Sequence, residues 1–281
     1  IRLSLVGSEM CIRDRCLEAC AKAKTPVLIL DRPNPLGGDV LEGPVAESTS
    51  SDVCWGKVPI RHGMTMGELA RYFEQYELNG HDLDLTVQFL DNWTPDRLFH
   101  QCALPWMPPS PNIPAAEAAL LYVGMCLFEG TNLNEGRGTS TPFALVGAPW
   151  VEAGGVVQAL TALETTGLRI EAVEYTPESI PGKASNPRYK GEVCRGVRLM
   201  IERPEEVRAF TTACALIQAL RKLHPDQFAF NDFFNTLAGG PDLRRRLEAG
   251  EEALAIEAAY EPARNAFNEI RPQFYRNLSK A

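Results

Sequence analysis

The segment Trp106–Arg137, WMPPSPNIPAAEAALLYVGMCLFEGTNLNEGR, contains the sharpest change of character in the chain. Three prolines in four positions stiffen its start, and an almost wholly apolar helix is predicted from Pro114 to Phe128. Gly130 is expected to end that helix, and a polar loop follows with few apolar anchors. Because loops on a rigid scaffold commonly carry binding and catalytic residues, this loop is the first candidate site.

Two carboxylates, Glu129 and Glu135, lie six positions apart in this loop. Hydrolysis of a glycosidic bond commonly uses two carboxyl groups about 5–10 Å apart, and a turning loop can place them so. Glu129 and Glu135 are therefore candidate catalytic residues, and Asn132 between them is a candidate substrate contact. The loop is no phosphate loop, because it lacks the GK[ST] ending and does not follow a strand.

Arg137 stands between two glycines, so both its backbone and its guanidinium can approach a ligand. Arginine suits the bidentate binding of a carboxylate. The alternative is that Arg137 pairs internally with Glu129 or Glu135 and braces the loop. The sequence favours neither, and both interpretations stay open.

A second candidate region follows the apolar run PVLILD at Pro26–Asp31. A continuous apolar strand after a helical run predicts a parallel sheet covered on both faces, and hence an α/β fold. In open α/β sheets ligands bind beyond the carboxyl ends of the strands. Asp31, Arg32 and Asn34 stand there and are candidate substrate contacts.

Further candidates lie around the helix predicted to start after Thr65. Thr65 and Glu68 fit a capping box, so Glu68 is predicted to cap the helix rather than to catalyse. His62, beside Arg61, is either an ordinary turn or core residue or a ligand contact at the helix N-terminus. Arg61 and His62 are kept as candidate substrate contacts.

The proline-rich segment offers two more candidate substrate contacts, Trp106 and Asn112. A stiff segment presents side chains with little loss of entropy on binding. Its alternative role is to end one element and begin the next helix. Beyond Trp150 the strand patterns at Leu168–Tyr175 and Glu192–Glu202, with a long helix at Pro204–Leu223, predict a small α/β domain.

Composition limits the classes of function. The 281 residues carry a net charge of −8, which argues against a nucleic-acid binder, and no apolar run is long enough to span a membrane. Eight cysteines occur without a CxxC pair, so no structural zinc site is expected. Residues 1–15, IRLSLVGSEMCIRDR, do not match the rest and are interpreted as a non-native leader, the alternative being a genuine strand and turn.

Six motifs then stand in a distinctive order. They are LDRPNPLGG (Leu30–Gly38), RHGMTMGELA (Arg61–Ala70), WMPPSPNIP (Trp106–Pro114), LFEGTNLNEGRGT (Leu127–Thr139), PFALVGAPW (Pro142–Trp150) and GEVCRGV (Gly191–Val197). Through them the chain resembles the exo-β-N-acetylmuramidase family of bacterial cell-wall hydrolases, formerly a domain of unknown function. The resemblance extends from about Cys16 to the end.

The resemblance implies a fold and a reaction. Residues 16–150 would form the C-terminal part of a Rossmann-like catalytic domain, and residues 151–281 an α/β auxiliary domain. The implied reaction is hydrolysis of a terminal β-1,4-linked N-acetylmuramic acid from the non-reducing end of a peptidoglycan fragment, without a cofactor or a metal. Such a substrate suggests the periplasm or the cell exterior, with recycling inside the cell as the alternative; the oligomeric state stays open.

Members of the family carry further sequence before the first of these motifs, including a Pro-Glu-His-Gly type motif thought to hold a catalytic Glu. No such motif stands before Pro26, so the chain is expected to be truncated at its N-terminus. The principal catalytic acid is therefore assigned to no residue present. This chain is expected either to act through its own carboxylates or to be inactive.

N-acetylmuramic acid differs from N-acetylglucosamine by a lactyl ether bearing a carboxylate. The hypothesis is that Arg137, with Arg32 or Arg61 and His62, recognises this charge. A competing hypothesis is a non-catalytic carbohydrate- or peptidoglycan-binding protein. A nucleotide-binding Rossmann protein is disfavoured, because no GxGxxG follows a strand.

Overall fold

The computed structural model describes residues 8–47, 56–78, 82–161 and 167–275, with side chains described from Cys16 onward. It is a mixed α/β protein whose small sheets include one parallel pair, which confirms the predicted α/β class. Within the described residues this parallel sheet has two strands, so the Rossmann-like arrangement stays a prediction. Two compact units are formed by residues 1–109 with 260–281, and by residues 110–259.

The first unit combines a parallel strand pair, an antiparallel strand pair and two helices that precede the last strand. Its elements are α1 (Ser8–Ala23), β1 (Val27–Leu30), β2 (Glu42–Val45), β3 (Pro59–Arg61), α2 (Met66–Tyr76) and β4 (Leu85–Gln88). Strands β1 and β4 pair in parallel, while β2 and β3 pair antiparallel. Leu17, Ile29 and Met66 bury α1, β1 and α2 in one apolar cluster, which fixes the loops at the carboxyl ends of β1 and β4.

One face of β1 is apolar and exposed. Ile29 is 6% exposed, whereas Leu28 and Leu30 on the other face are 64% and 66% exposed. Parallel strands normally have both faces covered, so two exposed leucines on a parallel strand form a surface prone to association. Their register partners on β4, Thr86 and Gln88, are polar.

Replacing both Leu28 and Leu30 with lysine is expected to reduce self-association of the chain. The change removes exposed apolar area from a strand face while leaving buried packing intact, so stability should change by only about 0.5 kcal/mol. Light scattering against protein concentration measures the effect. The matched control places lysines at Thr86 and Gln88, which adds the same charge without removing apolar area. Equal behaviour of the two variants would contradict the role of this face.

The second unit contains an antiparallel sheet packed with helices. Its elements are α3 (Ala116–Met125), β5 (Leu145–Ala148), α4 (Ala153–Thr161), β6 (Leu168–Tyr175), β7 (Cys194–Ile201), α5 (Ala209–Leu223), α6 (Phe233–Leu237) and α7 (Asp242–Glu248). The strand order is β5–β7–β6. Helices α3 and α5 touch closely at Gly124, where a Cβ atom would collide with the backbone of Ala209. A further helix, α8 (Ala253–Ile270), contains the position where the two units divide.

Several predicted elements change at their ends. Strand β6 has the predicted limits, but the helix predicted from Pro114 to Phe128 becomes α3 followed by a 3₁₀ turn at Cys126–Gly130. Helix α1 begins at Ser8, inside the predicted leader, while residues 1–7 lie outside the described part of the chain. The compact units divide at other positions than residues 15 and 150, and those predicted domain limits stay predictions. None of the helices among the described residues combines the length and apolarity of a membrane span.

Candidate functional site

The candidate loop of the second unit starts from a tightly packed turn. Gly130 ends the 3₁₀ turn, and its role is close packing, since a Cβ there would lie 2.5 Å from the Cα of Phe234. The hydroxyl of Thr131 donates to the carbonyl of Phe128 at 2.8 Å and accepts from the amide of Leu133 at 3.2 Å. These contacts stop the helix and fix the direction in which the loop leaves it.

The side chain of Asn134 holds the centre of the loop. Asn134 was not among the predicted site residues. Its Oδ1 accepts from the amide of Gly136 at 2.8 Å, and its Nδ2 donates to the carbonyls of Arg137 and Arg188, both at 3.1 Å. The hydroxyl of Tyr175 on β6 donates to the Asn134 carbonyl at 3.1 Å. The Asn-x-Gly spacing was the available signal, because Asn commonly bonds the backbone two residues on.

Arg137 joins the two predicted catalytic carboxylates. Its Nη1 lies 2.6 Å from Glu129 Oε2 and 2.9 Å from Glu135 Oε1. Two oxygens on one nitrogen are no further apart than the sum of those distances, so the two carboxyl groups lie close enough together to act on one glycosidic bond. The structure therefore contains the bracing contacts that the sequence left open. Nε and Nη2 of Arg137 have no hydrogen-bond partner among the described residues, so donors remain for a ligand.

The surroundings of this cluster are apolar and aromatic. The guanidinium of Arg137 lies 5.0 Å from the ring centroid of Phe143, which makes an edge contact with Tyr122 at 4.6 Å. Burial raises the pKa of Glu129, although the charge of Arg137 beside it acts in the opposite direction. A carboxyl group with a raised pKa suits the role of a general acid, since it holds its proton nearer to neutral pH.

Three other predicted substrate contacts have structural partners. Asn132 Nδ2 donates to the Gln227 carbonyl at 2.7 Å, and its Oδ1 accepts from the Ala229 amide at 2.9 Å. Asn112 Nδ2 donates to the Lys183 carbonyl at 3.0 Å in the same unit. In the first unit, Trp106 makes an edge contact with Phe99 at 4.9 Å between ring centroids. Their substrate-binding roles stay predictions.

Asp31 is the centre of a second polar cluster, in the first unit. It follows β1 and is buried, with Oδ1 accepting from the amides of Arg32 at 2.9 Å and Gly67 at 2.8 Å. The hydroxyl of Thr65 donates to Asp31 Oδ2 at 2.8 Å. The N-terminus of α2 thus meets a carboxylate at the carboxyl end of a parallel strand, where the helix dipole favours negative charge.

The predicted capping box of α2 is confirmed. The Glu68 amide donates to Thr65 Oγ1 at 3.2 Å, and the Thr65 amide donates to Glu68 Oε2 at 2.8 Å. Local sequence patterns do not indicate that the pKa of Glu68 is shifted as well. Burial raises its pKa from 4.5 to about 7, and the charge of Asp31 adds to the rise, while the Thr65 bonds and Arg271 oppose it.

Glu68→Gln is expected to flatten the dependence of stability on pH. The folded pKa lies above the unfolded one, so the stabilising contribution is complete below about pH 4.5 and is lost as the pH rises to about 7. The lost contribution is at most about 3–4 kcal/mol. Glutamine keeps the cap, and unfolding free energies between about pH 4 and 8 measure the difference. Parallel curves for the two proteins would contradict the raised pKa.

Asn34 and His62 support the backbone around this cluster. Asn34 Nδ2 donates to the Met64 carbonyl, and its Oδ1 accepts from the Leu36 amide, both at 2.9 Å. His62 is 6% exposed, and its Nδ1 accepts from the Met64 amide at 3.1 Å. Both side chains act as parts of turns here, and their substrate contacts stay predictions.

Arg61 and Arg32, both predicted to contact substrate, differ in their surroundings. Arg61 is 2% exposed and its Nη1 lies 2.7 Å from Oε1 of Glu42, which is 0% exposed. Arg61 Nη2 also donates to the Leu36 carbonyl at 2.6 Å. The Arg32 guanidinium, by contrast, is partly exposed and has no partner among the described residues. Of these two cations, Arg32 is the one available to a ligand.

A surface groove in the second unit was not predicted. Its volume is about 540 Å³, and Trp150, Glu152, Glu174 and Arg195 contribute to its lining. Glu152 caps α4, since its carboxylate accepts from the amide of Gly154 at 3.1 Å. In the described part of the chain no group of three or more His, Cys, Asp or Glu side chains could hold a metal ion.

The fold and the loop together define a mixed α/β protein with two carboxyl groups held on one arginine. Two family profiles match nearly the whole chain: "Exo-beta-N-acetylmuramidase NamZ, N-terminal" over residues 10–117 and "Exo-beta-N-acetylmuramidase NamZ, C-terminal" over residues 120–276. The chain belongs to the NamZ exo-β-N-acetylmuramidase family, as the resemblance in its motifs predicted.

Relatives extend this comparison. The chain is similar to the peptidoglycan β-N-acetylmuramidase NamZ of Bacillus subtilis (strain 168), with 34% identity over 262 residues, 92% of this chain and 61% of the relative. The crystal structure of a DUF1343 family protein from Bacteroides fragilis covers 97% of this chain and 73% of its own, with a TM-score of 0.87 and 24% identity. The crystal structure of a second DUF1343 family protein from Bacteroides fragilis covers 94% of this chain and 70% of its own, with a TM-score of 0.74 and 31% identity.

Proposed function

We propose that the chain belongs to an exo-acting glycoside hydrolase that releases terminal β-1,4-linked N-acetylmuramic acid from peptidoglycan fragments. The observation that carries the proposal is the match to both family profiles, together with the 34% identity to a peptidoglycan β-N-acetylmuramidase. This chain spans 61% of the length of that relative, so the activity is proposed for the protein as a whole. A cell-wall substrate implies the periplasm or the cell exterior, with recycling in the cytoplasm as the alternative.

In this proposal Glu129 and Glu135 act on the glycosidic bond. Glu129 is the better general acid, because burial raises its pKa. Glu135, only 9% exposed, would be the second carboxyl group, and the shared guanidinium of Arg137 sets their spacing. Donors of Arg137 left unused by the two carboxylates would bind substrate.

The remaining substrate contacts are proposed for the first unit. Asp31, Asn34 and His62 would line a sugar-binding surface of the first unit, mainly through the turns that they stabilise. Trp106 in this unit, and Asn112 and Asn132 in the second, would contact sugar with the parts that their structural bonds leave free. Strands β1 and β4 would belong to a larger Rossmann-like sheet. The exposed leucines of β1 support this part of the proposal.

A second candidate function is non-catalytic binding of peptidoglycan sugars. The observation that favours it is the double ion pair of Arg137, which neutralises part of the charge of both candidate carboxylates. The two functions differ in whether covalent bonds of the substrate are cleaved.

Digestion of a defined peptidoglycan fragment with muramic acid at its non-reducing end tests the proposal. We expect mass spectrometry to detect free N-acetylmuramic acid and a fragment one sugar shorter, with this chain and with the Bacillus subtilis relative. Binding of the fragment by both proteins without cleavage would support the second function. Release of N-acetylglucosamine from the end would contradict the proposed specificity.

Arg32→Ala is expected to reduce the preference for muramic acid over glucosamine substrates about 10- to 100-fold. Arg32 lies beyond β1 and its guanidinium has no partner in the described part of the chain. A charge-assisted bond to the lactyl carboxylate contributes about 1.5–3 kcal/mol. The measurement is the ratio of kcat/KM, or of Kd, for the paired substrates. Arg97→Ala, at an exposed arginine of the same unit, is the control, and an unchanged ratio for Arg32→Ala would contradict the assignment.

A further inference from the structure

A small cavity lies in the first unit beyond the carboxyl ends of β1 and β4. Its volume is about 30 Å³, and its wall includes Asp31, Glu68, Leu90, Trp93 and Tyr275. The cavity is partly open, so a group attached to a larger molecule can enter it. Space for about one water-sized group means that a ligand would enter with a single substituent.

Two polar atoms of the wall lack partners. Glu68 is 4% exposed, and while Oε2 accepts from the Thr65 amide, Oε1 accepts no hydrogen bond from any described residue. The Nε1 atom of Trp93 is buried and has no hydrogen-bond partner among the described residues. A buried donor without a partner, such as this indole N–H, is rare in folded proteins, and here the Glu68 carboxyl group lines the same cavity.

The charges around the cavity restrict what it can bind. The Asp31 carboxylate accepts from two amides and the Thr65 hydroxyl, and with Glu68 it makes the wall unsuitable for an anion. An indole N–H and a carboxyl group in the wall of one small cavity fit a hydroxyl group, which accepts from the first and donates to the second. A protonated carboxyl group can also donate to a hydroxyl oxygen, so the pairing survives the titration of Glu68.

We propose that Glu68 and Trp93 bind one hydroxyl group of a carbohydrate ligand. Trp93 Nε1 donates a hydrogen bond to the hydroxyl oxygen, and Glu68 Oε1 accepts a hydrogen bond from the hydroxyl group. The choice of a carbohydrate rests on the proposed function. Glu68 therefore combines two roles, because its Oε2 caps α2 while its Oε1 contacts the ligand. The pairing is a binding contact and transfers no proton to the reacting bond.

The indole N–H resonances of the ¹⁵N-labelled chain test this directly. The chain has four tryptophans, and Trp93→Phe identifies the Trp93 signal by its disappearance. We expect the methyl β-glycoside of N-acetylmuramic acid to shift the Trp93 resonance saturably. The Trp150 indole, which already donates to the Tyr189 hydroxyl at 3.3 Å, is the internal reference and should stay in place.

The backbone amide resonance of Leu90, in the cavity wall, gives a second measure of sugar binding. This resonance is also present in Trp93→Phe. By this readout Trp93→Phe is expected to weaken sugar binding about five- to tenfold, the effect of losing one hydrogen bond. Glu68→Gln, which keeps the helix cap, is expected to weaken binding about three- to tenfold at pH values above the pKa of Glu68.

An unmoved Trp93 signal, or unchanged affinity in both variants, would overturn the proposal and leave the cavity as a water site. Because the titration involves no hydrolysis, its failure is distinct from failure of the proposed function. A chain that binds through Trp93 but releases no sugar contradicts the activity alone. A chain that releases sugar while Trp93 stays unmoved contradicts the cavity assignment alone.

Discussion

Replacing Arg61 with methionine is expected to lower the free energy of unfolding of the first unit by about 3–5 kcal/mol. Arg61 and Glu42 face each other on β3 and β2, with Nη1 and Oε1 2.7 Å apart and both side chains almost fully buried. Methionine fills similar space but removes the Arg61 ion pair from the buried Glu42 carboxylate. Urea unfolding monitored by circular dichroism measures the loss.

The matched control removes both charges, with Arg61→Met and Glu42→Leu together. The double variant should recover most of the lost stability, because the buried Glu42 charge that Arg61 balanced is then removed as well. This outcome would identify Arg61 as a structural brace. A single variant that keeps its stability while losing sugar affinity would instead support the substrate contact that the sequence predicted for Arg61.

Glu129→Gln is expected to lower the rate of N-acetylmuramic acid release about 10²- to 10⁴-fold, the usual contribution of a general acid or base. Glutamine keeps the shape of the side chain but has no acidic proton to give to the leaving sugar. Glu135→Gln should cause a loss of similar size if the two carboxyl groups act together. The measurement is kcat on a chromogenic β-muramide, and Glu117→Gln, exposed on α3, is the control.

The stability of the same glutamine variants shows whether Glu129 and Glu135 take part in catalysis or only brace the loop through Arg137. If both glutamine variants keep the rate within about twofold while their unfolding free energy falls, the carboxylates only hold the loop. If the rate falls while stability is unchanged, the ion pairs position groups that take part in the reaction. This comparison separates a catalytic role of Glu129 and Glu135 from a bracing role.

Local patterns predicted much of this molecule. The alternation of residues placed β6 correctly, and the Thr65–Glu68 spacing gave the capping box of α2. The many polar groups of one loop likewise indicated a site that contains Glu129, Glu135 and Arg137, and the structure pairs these three residues. Each of these signals lies within a few positions of the chain, where helix, strand and turn preferences act directly.

Long-range contacts could not be predicted in this way. No local sequence pattern predicts the ion pair between Arg61 and Glu42. No such pattern predicts that Trp93 and Tyr275 line one cavity with Glu68 either. The pKa of Glu68 depends on burial that only the folded first unit creates. The fourfold bonding of Asn134 likewise needs Tyr175 and the Arg188 carbonyl, which strand β6 and a distant loop supply.

The most direct measurement of the central claim is the release of N-acetylmuramic acid from a chromogenic β-muramide by the 281-residue chain. The Bacillus subtilis relative serves as the positive reference under the same conditions. The proposed roles of Glu129 and Glu135 predict release by this chain and its loss in Glu129→Gln. Release that persists undiminished in both Glu129→Gln and Glu135→Gln would contradict them and place the chemistry outside residues 129–137.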